Sequence, residues 1–460
     1  MIKMNILKLV LLLTLMLSIL VYFLSLILLP TPTSLPPTPV SSKTYFVAKN
    51  GNDYNPGTEQ QPWKTIMKAT DTLVAGDTVY IKNGTYNEKI DVKNSGDQGN
   101  YITFSAYPGD NVTIDGMGIP VSYWDGLVQI HGSSYINISG FRIINSMFMG
   151  IVVTSDYASN FPTNITIEKN YIRNTASSAI YAEDGKNITI DGNEITKAQT
   201  LEGLSQRKHE TISLANVNGF EIKNNKLYLN NAESIDVKDG SGNGRIHHND
   251  ISQHESAGIY IDSWNRSSSD IEIFSNRVHD GRRSGRGIAI AIENGGSLRN
   301  VNAYSNLIYN NAATGIDISW YSNGLMENIS IIGNTVYNNG LVDDWGGGIS
   351  LDYSSAVNVT IRNNIVSKNN HYSIKVNNVN AVIDHNLIND YKGRQDETKG
   401  SNYVEGDPEF VNQDNADFRL MNTSPAINRG SVINVPNMDF DGKIYSQNAG
   451  YDIGAFQYIS

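Results

Sequence analysis

The chain contains no cysteine. That excludes a disulfide framework, a thiol nucleophile and any cysteine-ligated zinc or iron–sulfur centre. Charge is also scarce. Only 18% of the 460 residues are Asp, Glu, Lys or Arg, against ~25% in ordinary globular chains. What charge there is leans negative, with 46 acidic against 35 basic residues and a net of −11. A chain short of cations has no basic face to neutralise phosphates, so nucleic acid is not an expected partner. The missing charge is replaced by Asn, Ser and Thr and by 25 tyrosines. Such a composition is too aromatic and β-branched for a disordered chain. With no disulfides available, its core must be large and continuous, and a monomer is expected.

Long hydrophobic runs are lacking except for one. Residues 6–29 are apolar, with Lys8 near the start as their single charge and Lys3 just before. The run exceeds a signal-peptide core and no A-x-A-like cleavage site follows it. At ~1.5 Å per residue it is long enough to span a bilayer, and the lysines favour a cytoplasmic N-terminus. Residues 1–29 read as a signal-anchor, with a cleaved signal peptide as the alternative. Residues 30–43 are Pro/Thr/Ser-rich and hold five of the 13 prolines, the composition of an extended tether. The rest of the chain is then expected outside the cell, held at the membrane, or secreted if the segment is cleaved.

The remainder repeats itself. A phrase of alternating apolar residues ending in Asn-x-apolar recurs, as in ITIEKNYI, FEIKNNKL and ISIIGNTV. Its asparagines are Asn170, Asn193, Asn225, Asn249, Asn276, Asn306, Asn334, Asn364 and Asn386. A second phrase, led by Ile151, Ile180, Ile212, Ile235, Ile259, Ile288, Ile316, Ile349 and Ile374, falls between them. A short period built on two-residue alternation is the mark of a solenoid. The units are too short for a helical crossover. Stacked rungs ~4.8 Å apart turn equivalent positions into ladders, isoleucine inside and asparagine at the turns. The expected fold is all-β: a right-handed parallel β-helix over residues 44–402. An amphipathic helix in residues 62–75, with Ile66, Met67, Ala69 and Leu73 as its stripe, is expected to cap the N-terminal end. Residues 403–460 break the repeat and are expected to form a C-terminal capping module.

The segment YFVAKNGNDYNPGTEQQPWKTIMKATDTLVAGDTVYIKNGTY resembles the opening of many secreted β-helix proteins, among them family 9 polysaccharide lyases. GDPEF, DFRLMNTSPAINRG, DFDGK and YDIGAFQY in residues 407–457 resemble a C-terminal module common in prokaryotic surface β-helix proteins. NAESIDVKDGSGNG, residues 231–244, resembles part of the E-x-x-x-x-K strand of family 6 polysaccharide lyases. That resemblance implies Glu233 as a calcium ligand and Lys238 as the base. It departs one rung on, where Asp262 stands in place of the family's arginine. Family 9's aspartate cluster is likewise replaced by Ser256 and Ala257.

Register says which side chains face out. After each leading Ile, the next and third residues point to solvent. One column reads Tyr181, Ser213, Asp236, Tyr260, Ala289, Asp317, Ser350 and Lys375. The other reads Glu183, Ala215, Lys238, Asp262, Ala291, Ser319, Asp352 and Asn377. Asp236, Lys238, Tyr260 and Asp262 therefore fall within about one rung step, ~5 Å, of each other. His254, Arg266 and Arg286 arrive from neighbouring loops and complete the candidate catalytic set with Lys238, Tyr260 and Asp262. Trp264, Trp320, Arg282 and Arg283 are candidates for holding a sugar chain, since aromatic faces stack on rings and guanidinium groups meet carboxylates. Lysine is a base only if its pKa falls, and surrounding aspartates raise it. A Ca²⁺ ion held by Glu233, Asp236 and Asp239 would reverse that field.

The expectation is therefore eliminative cleavage or C5-epimerisation of an acidic, uronate-containing polysaccharide. Two other readings stand beside it: a glycoside hydrolase using a carboxylate pair among Asp236, Asp262 and Glu293, and a non-catalytic surface adhesin or envelope protein. The plainest reading of the charges is a ladder of solvated ion pairs.

Overall fold

A computed structural model describes residues 42–156, 160–201, 209–342, 345–444 and 450–458. The segment expected as an anchor at residues 1–29, nearly all of the expected tether, and Arg207 and Lys208 lie outside the described residues. Among the described residues no helix is long and apolar enough to cross a membrane.

The chain coils as a parallel β-solenoid. Its rungs contribute to two thirteen-stranded sheets and one eleven-stranded sheet. The leading isoleucines form one column, with Ile180, Ile212, Ile235, Ile259, Ile288, Ile316 and Ile349 paired Cα to Cα through successive strands. All seven side chains are fully buried. The two-residue pleat sends one side chain into the coil and the next outward, and a stacked β-branched column fills the interior without gaps.

The asparagine ladder forms as spacing predicts. Asn276 donates through Nδ2 to the Ile246 carbonyl at 2.8 Å and to Asn306 Oδ1 at 3.0 Å. Its own Oδ1 accepts from the Asn249 backbone at 3.1 Å and from Asn249 Nδ2 at 2.9 Å. The left-handed turn falls one residue earlier than the ladder position. Lys169, Asn224, His248, Ser275 and Ser305 have φ between 51° and 55°. The bend uses that neighbour and leaves each ladder asparagine free to face inward. A second ladder, Asn311, Asn339 and Asn369, runs at another corner with the same bonding.

The N-terminal helix is shorter than its apolar stripe suggests. It spans Ile66–Thr70, with Thr65 capping the Lys68 amide. Ile66, Ala69 and Leu73 are buried, whereas Met67 is exposed. At the other end, Val404–Glu405 adds a strand to one thirteen-stranded sheet. The residues that follow lie along that sheet's flank. Phe410, Phe418, Leu420, Ile453 and Phe456 pack on Leu307, Tyr309, Ile365 and Leu387. Those four side chains are apolar where an outward position is normally polar, and they therefore demand a cover.

Candidate functional site

The charged residues lie on the outer face of the eleven-stranded sheet, on strands Ile180–Glu183, Ile212–Ala215, Ile235–Lys238 and Ala257–Ser263. Register is as predicted: Tyr181 pairs with Ser213, Ser213 with Asp236, and Asp236 with Tyr260. The small residues Ala289 and Ala291 follow beside Tyr260 and Asp262.

Lys238 is the hub. Its Nζ lies 2.8 Å from Asp236 Oδ2 and 2.6 Å from Glu210 Oε2. Glu210 also accepts from Ser213 Oγ at 2.7 Å. Only 19% of the lysine side chain and 1% of the Asp236 side chain are exposed. Burial alone would lower the lysine pKa, but Asp236, Glu210 and Asp262 outweigh it and raise it well above the ordinary value. Lys238 is thus a locked cation at any neutral pH. Burial likewise raises Glu210, but Lys238 reverses the balance and holds its carboxyl below the ordinary range.

The two aspartates go the other way. Burial raises both carboxyls against the pull of Lys238. For Asp262, which is buried, the nearby Glu293, Glu210 and Asp239 carboxylates add to the effect and bring its pKa to about 8. One oxygen of each, Oδ1, is buried with no hydrogen-bond partner. The Asp236 and Asp262 carboxyls titrate together, with Asp236 bound to Lys238 and Asp262 on the neighbouring rung, and both are shifted toward the protonated form. A buried group poised this way is expensive to keep, and such groups concentrate at functional sites. Glu183, which accepts the Tyr181 hydroxyl at 3.0 Å, is also raised by burial.

The other sequence candidates divide. Tyr260 joins the cluster but donates its hydroxyl to Glu293 Oε1 at 2.7 Å. Burial and Glu293 push its phenol far upward, so it is a proton holder and not a ready base. Arg286 is half-buried against Asp317 Oδ2 at 3.0 Å, with its guanidinium 5.9 Å from the Tyr260 ring centre. Arg266 stays half exposed, 3.9 Å from Asp184. Trp264 and Trp320 are both about half exposed, and Trp320 stacks on Tyr353 at 5.9 Å. Arg282 and Arg283 instead grip Glu255, at 3.4 and 2.9 Å. His254 is fully buried, its Nε2 2.8 Å from the Arg286 carbonyl, and burial lowers its pKa to about 4. It buttresses the loop beneath Arg286 and has no path to a substrate.

The proposed calcium ligands do not converge. Glu233 Oε1 accepts from Ser256 Oγ at 2.6 Å, and Asp239 Oδ1 accepts the Asn265 and Arg266 amides at 3.2 and 3.0 Å. Asp236 is held by Lys238. Glu233 and Asp239 lie beyond opposite ends of the strand Ile235–Lys238. Among the described residues no three His, Asp or Glu side chains group so as to hold a metal ion. Glu210, not Glu233, meets Lys238. Both glutamates stand two residues before a leading Ile on successive rungs, and only the loop geometry chooses between them.

Two family models match the chain. One, a Pel9A-like right-handed β-helix region, covers residues 45–170. The other, a right-handed β-helix region, covers residues 162–336. The protein YwoF of Bacillus subtilis (strain 168) is 30% identical over 301 residues, 59% of this chain and 63% of that protein. Pectate lyase PEL9 of Emericella nidulans is 29% identical over 138 residues, 27% of this chain and 33% of that protein. The chain thus spans less than two thirds of either relative. Among solved structures, XylC in complex with xylose superposes with a TM-score of 0.56 at 13% identity, covering 91% of this chain and 98% of that one. Pectate lyase Pel9A gives 0.54 at 16% identity, with 91% and 97% covered. The chain is a right-handed parallel β-helix that resembles polysaccharide lyases. At these identities the structural matches speak for the fold alone.

Proposed function

We propose that the outer face of the eleven-stranded sheet is the active site of a polysaccharide-processing enzyme, and that Asp262 transfers the proton. The observation that carries this is the Asp262 carboxyl: buried, its pKa raised toward neutrality, with one oxygen unbonded, beside the Lys238 cation and its Glu210 and Asp236 partners. A general acid needs a pKa close to its working pH. Glu293 lies one rung over and two residues along. At ~4.8 Å per rung and ~3.3 Å per residue, its Cα is about 8 Å away. Both side chains project from the same face, as a carboxyl pair that holds a water between them must. In hydrolysis Asp262 gives its proton to the glycosidic oxygen as the C1–O bond breaks. Glu293 takes a proton from the water whose oxygen bonds to C1.

A second reading is eliminative cleavage or epimerisation of a uronate chain, favoured by the Pel9A-like match and by the pectate lyase relative. Lys238 as found is a cation and not a base, so this reading uses it to meet a carboxylate. The carboxyl groups around the site outnumber the cations Lys238, Arg266 and Arg286, so an acidic chain is repelled unless counter-ions accompany it. Polygalacturonate, alginate, xylan and glycosaminoglycans are the substrates to screen, with and without EDTA. New reducing ends without absorbance near 235 nm support hydrolysis, and that absorbance supports elimination. Loss of turnover in EDTA would establish a divalent requirement. Glycan binding without turnover would leave the adhesin reading. Extracellular display from the membrane is part of the same proposal, and protease that spares the large domain on intact cells would refute it.

A further inference from the structure

Beyond the charged cluster, one aromatic surface has no role in the proposed chemistry. Residues 116–125 connect strands Val112–Asp115 and Gly126–His131. The segment folds back over the outer face of the eleven-stranded sheet. Val121 is buried there with Phe148, Met149, Val152 and Tyr181. Asp125 pins it, accepting from the Ser122 amide and from Lys89 Nζ, both at 3.1 Å. Yet the side chains between Ser122 and Asp125, Tyr123 and Trp124, remain 42% and 39% exposed. Trp124 sits at φ 72°, a left-handed conformation that a bulky residue adopts only at an energetic cost.

The strain places the indole at a particular spot. Its ring lies 5.5 Å from that of Tyr181 and 4.9 Å from that of His209. Tyr123 stands edge-on to it at 5.0 Å and stacks on Phe148 at 5.2 Å. His209 precedes Glu210, the partner of Lys238. The aromatic surface therefore ends where the charged cluster begins. Tyr181 and Asp236 are two rungs apart, ~10 Å, a distance that a disaccharide spans.

We infer that Trp124 and Tyr123 form a stacking subsite for a pyranose ring of the same glycan that occupies the Lys238–Asp262 cluster. The subsite makes the site selective for longer chains. This rests on the active-site reading above. The C–H face of a sugar lies on the π-face, while its hydroxyls stay at the wet rim.

The test uses the full chain and oligosaccharides, from disaccharide to hexasaccharide, of whichever screened polysaccharide the wild type binds or processes. Trp124→Ala is expected to raise KM for the longer oligomers about tenfold. It should leave kcat and the shortest processed oligomer nearly unchanged. Trp124→Phe should restore most of the loss. Where a glycan binds without turnover, the same length-dependent loss is read from binding, and the glycan-induced tryptophan fluorescence change should shrink in Trp124→Ala. An active wild type with identical length dependence in Trp124→Ala and Tyr123→Ala overturns the subsite and leaves the active-site reading standing. A wild type that neither binds nor processes any of these glycans overturns both.

Discussion

Asp262 and Lys238 show how little a residue's identity says without its neighbours. Asp262 has a folded pKa of about 8, raised by burial, against ~3.9 unfolded. The folded state therefore binds the extra proton. Its contribution to stability is fully present below pH ~4 and is lost as pH rises to about 8. Asp262→Asn should remove that loss, so its thermal midpoint should decline less than wild type between pH 6 and pH 9. It should also cut turnover by about 10²-fold or more. Lys238→Met leaves Glu210 and Asp236 as buried carboxyls without their cation. A loss of about 3–5 kcal/mol is expected in denaturant unfolding, although an outward position on a strand would suggest almost none. His254 has the opposite sign from Asp262. Its imidazole is lowered to about 4 by burial, so the unfolded state binds the proton first. Stability is lost as pH falls from ~6.5 toward 4. His254→Gln should flatten the acid limb of a plot of thermal midpoint against pH.

At the scale of the element, the corner ladders are the most costly parts to break. Asn276→Ala removes donors to Ile246 and Asn306 and the acceptor for Asn249. It strands buried polar groups at about 1–3 kcal/mol each. Asn328 belongs to an exposed ladder with Asn300 and Asn358. Asn328→Ala is expected to stay within about 0.5 kcal/mol. Equal midpoints for the two variants in urea unfolding would contradict this account. The first ladder was legible because its asparagines share one phrase with the alternating strand. The second, at Asn311, Asn339 and Asn369, follows a three-residue strand with only a short Tyr-Asn-Asn phrase on two of its three rungs, and the stacking reveals it.

For the whole molecule, the C-terminal residues serve as a flank and not simply as an end-piece. Tyr391 and Val379 pack against the main core before residue 403, whereas Phe410, Phe418 and Phe456 pack against a separate cluster. Removal of residues 406–460 is expected to expose Leu307, Tyr309, Ile365 and Leu387. The truncated chain should then bind a hydrophobic dye and aggregate on heating well before the full chain. A truncated chain with unchanged thermal midpoint and no dye binding would show that this face needs no cover.

Periodicity by itself determined the fold, the number of rungs from residue 151 onward and the outward columns. A two-residue pleat and a fixed rung spacing leave a repeating chain no other register that buries every isoleucine. Tyr181, Asp236, Tyr260 and Asp262 were placed by that rule alone. Tertiary structure decided what the rule does not reach: Glu210 over Glu233 as the partner of Lys238, His254 inside a loop core, and Trp124 over Tyr181. Each of these depends on the path of an inserted loop. Loop paths follow from contacts distant in sequence, and no short period encodes them.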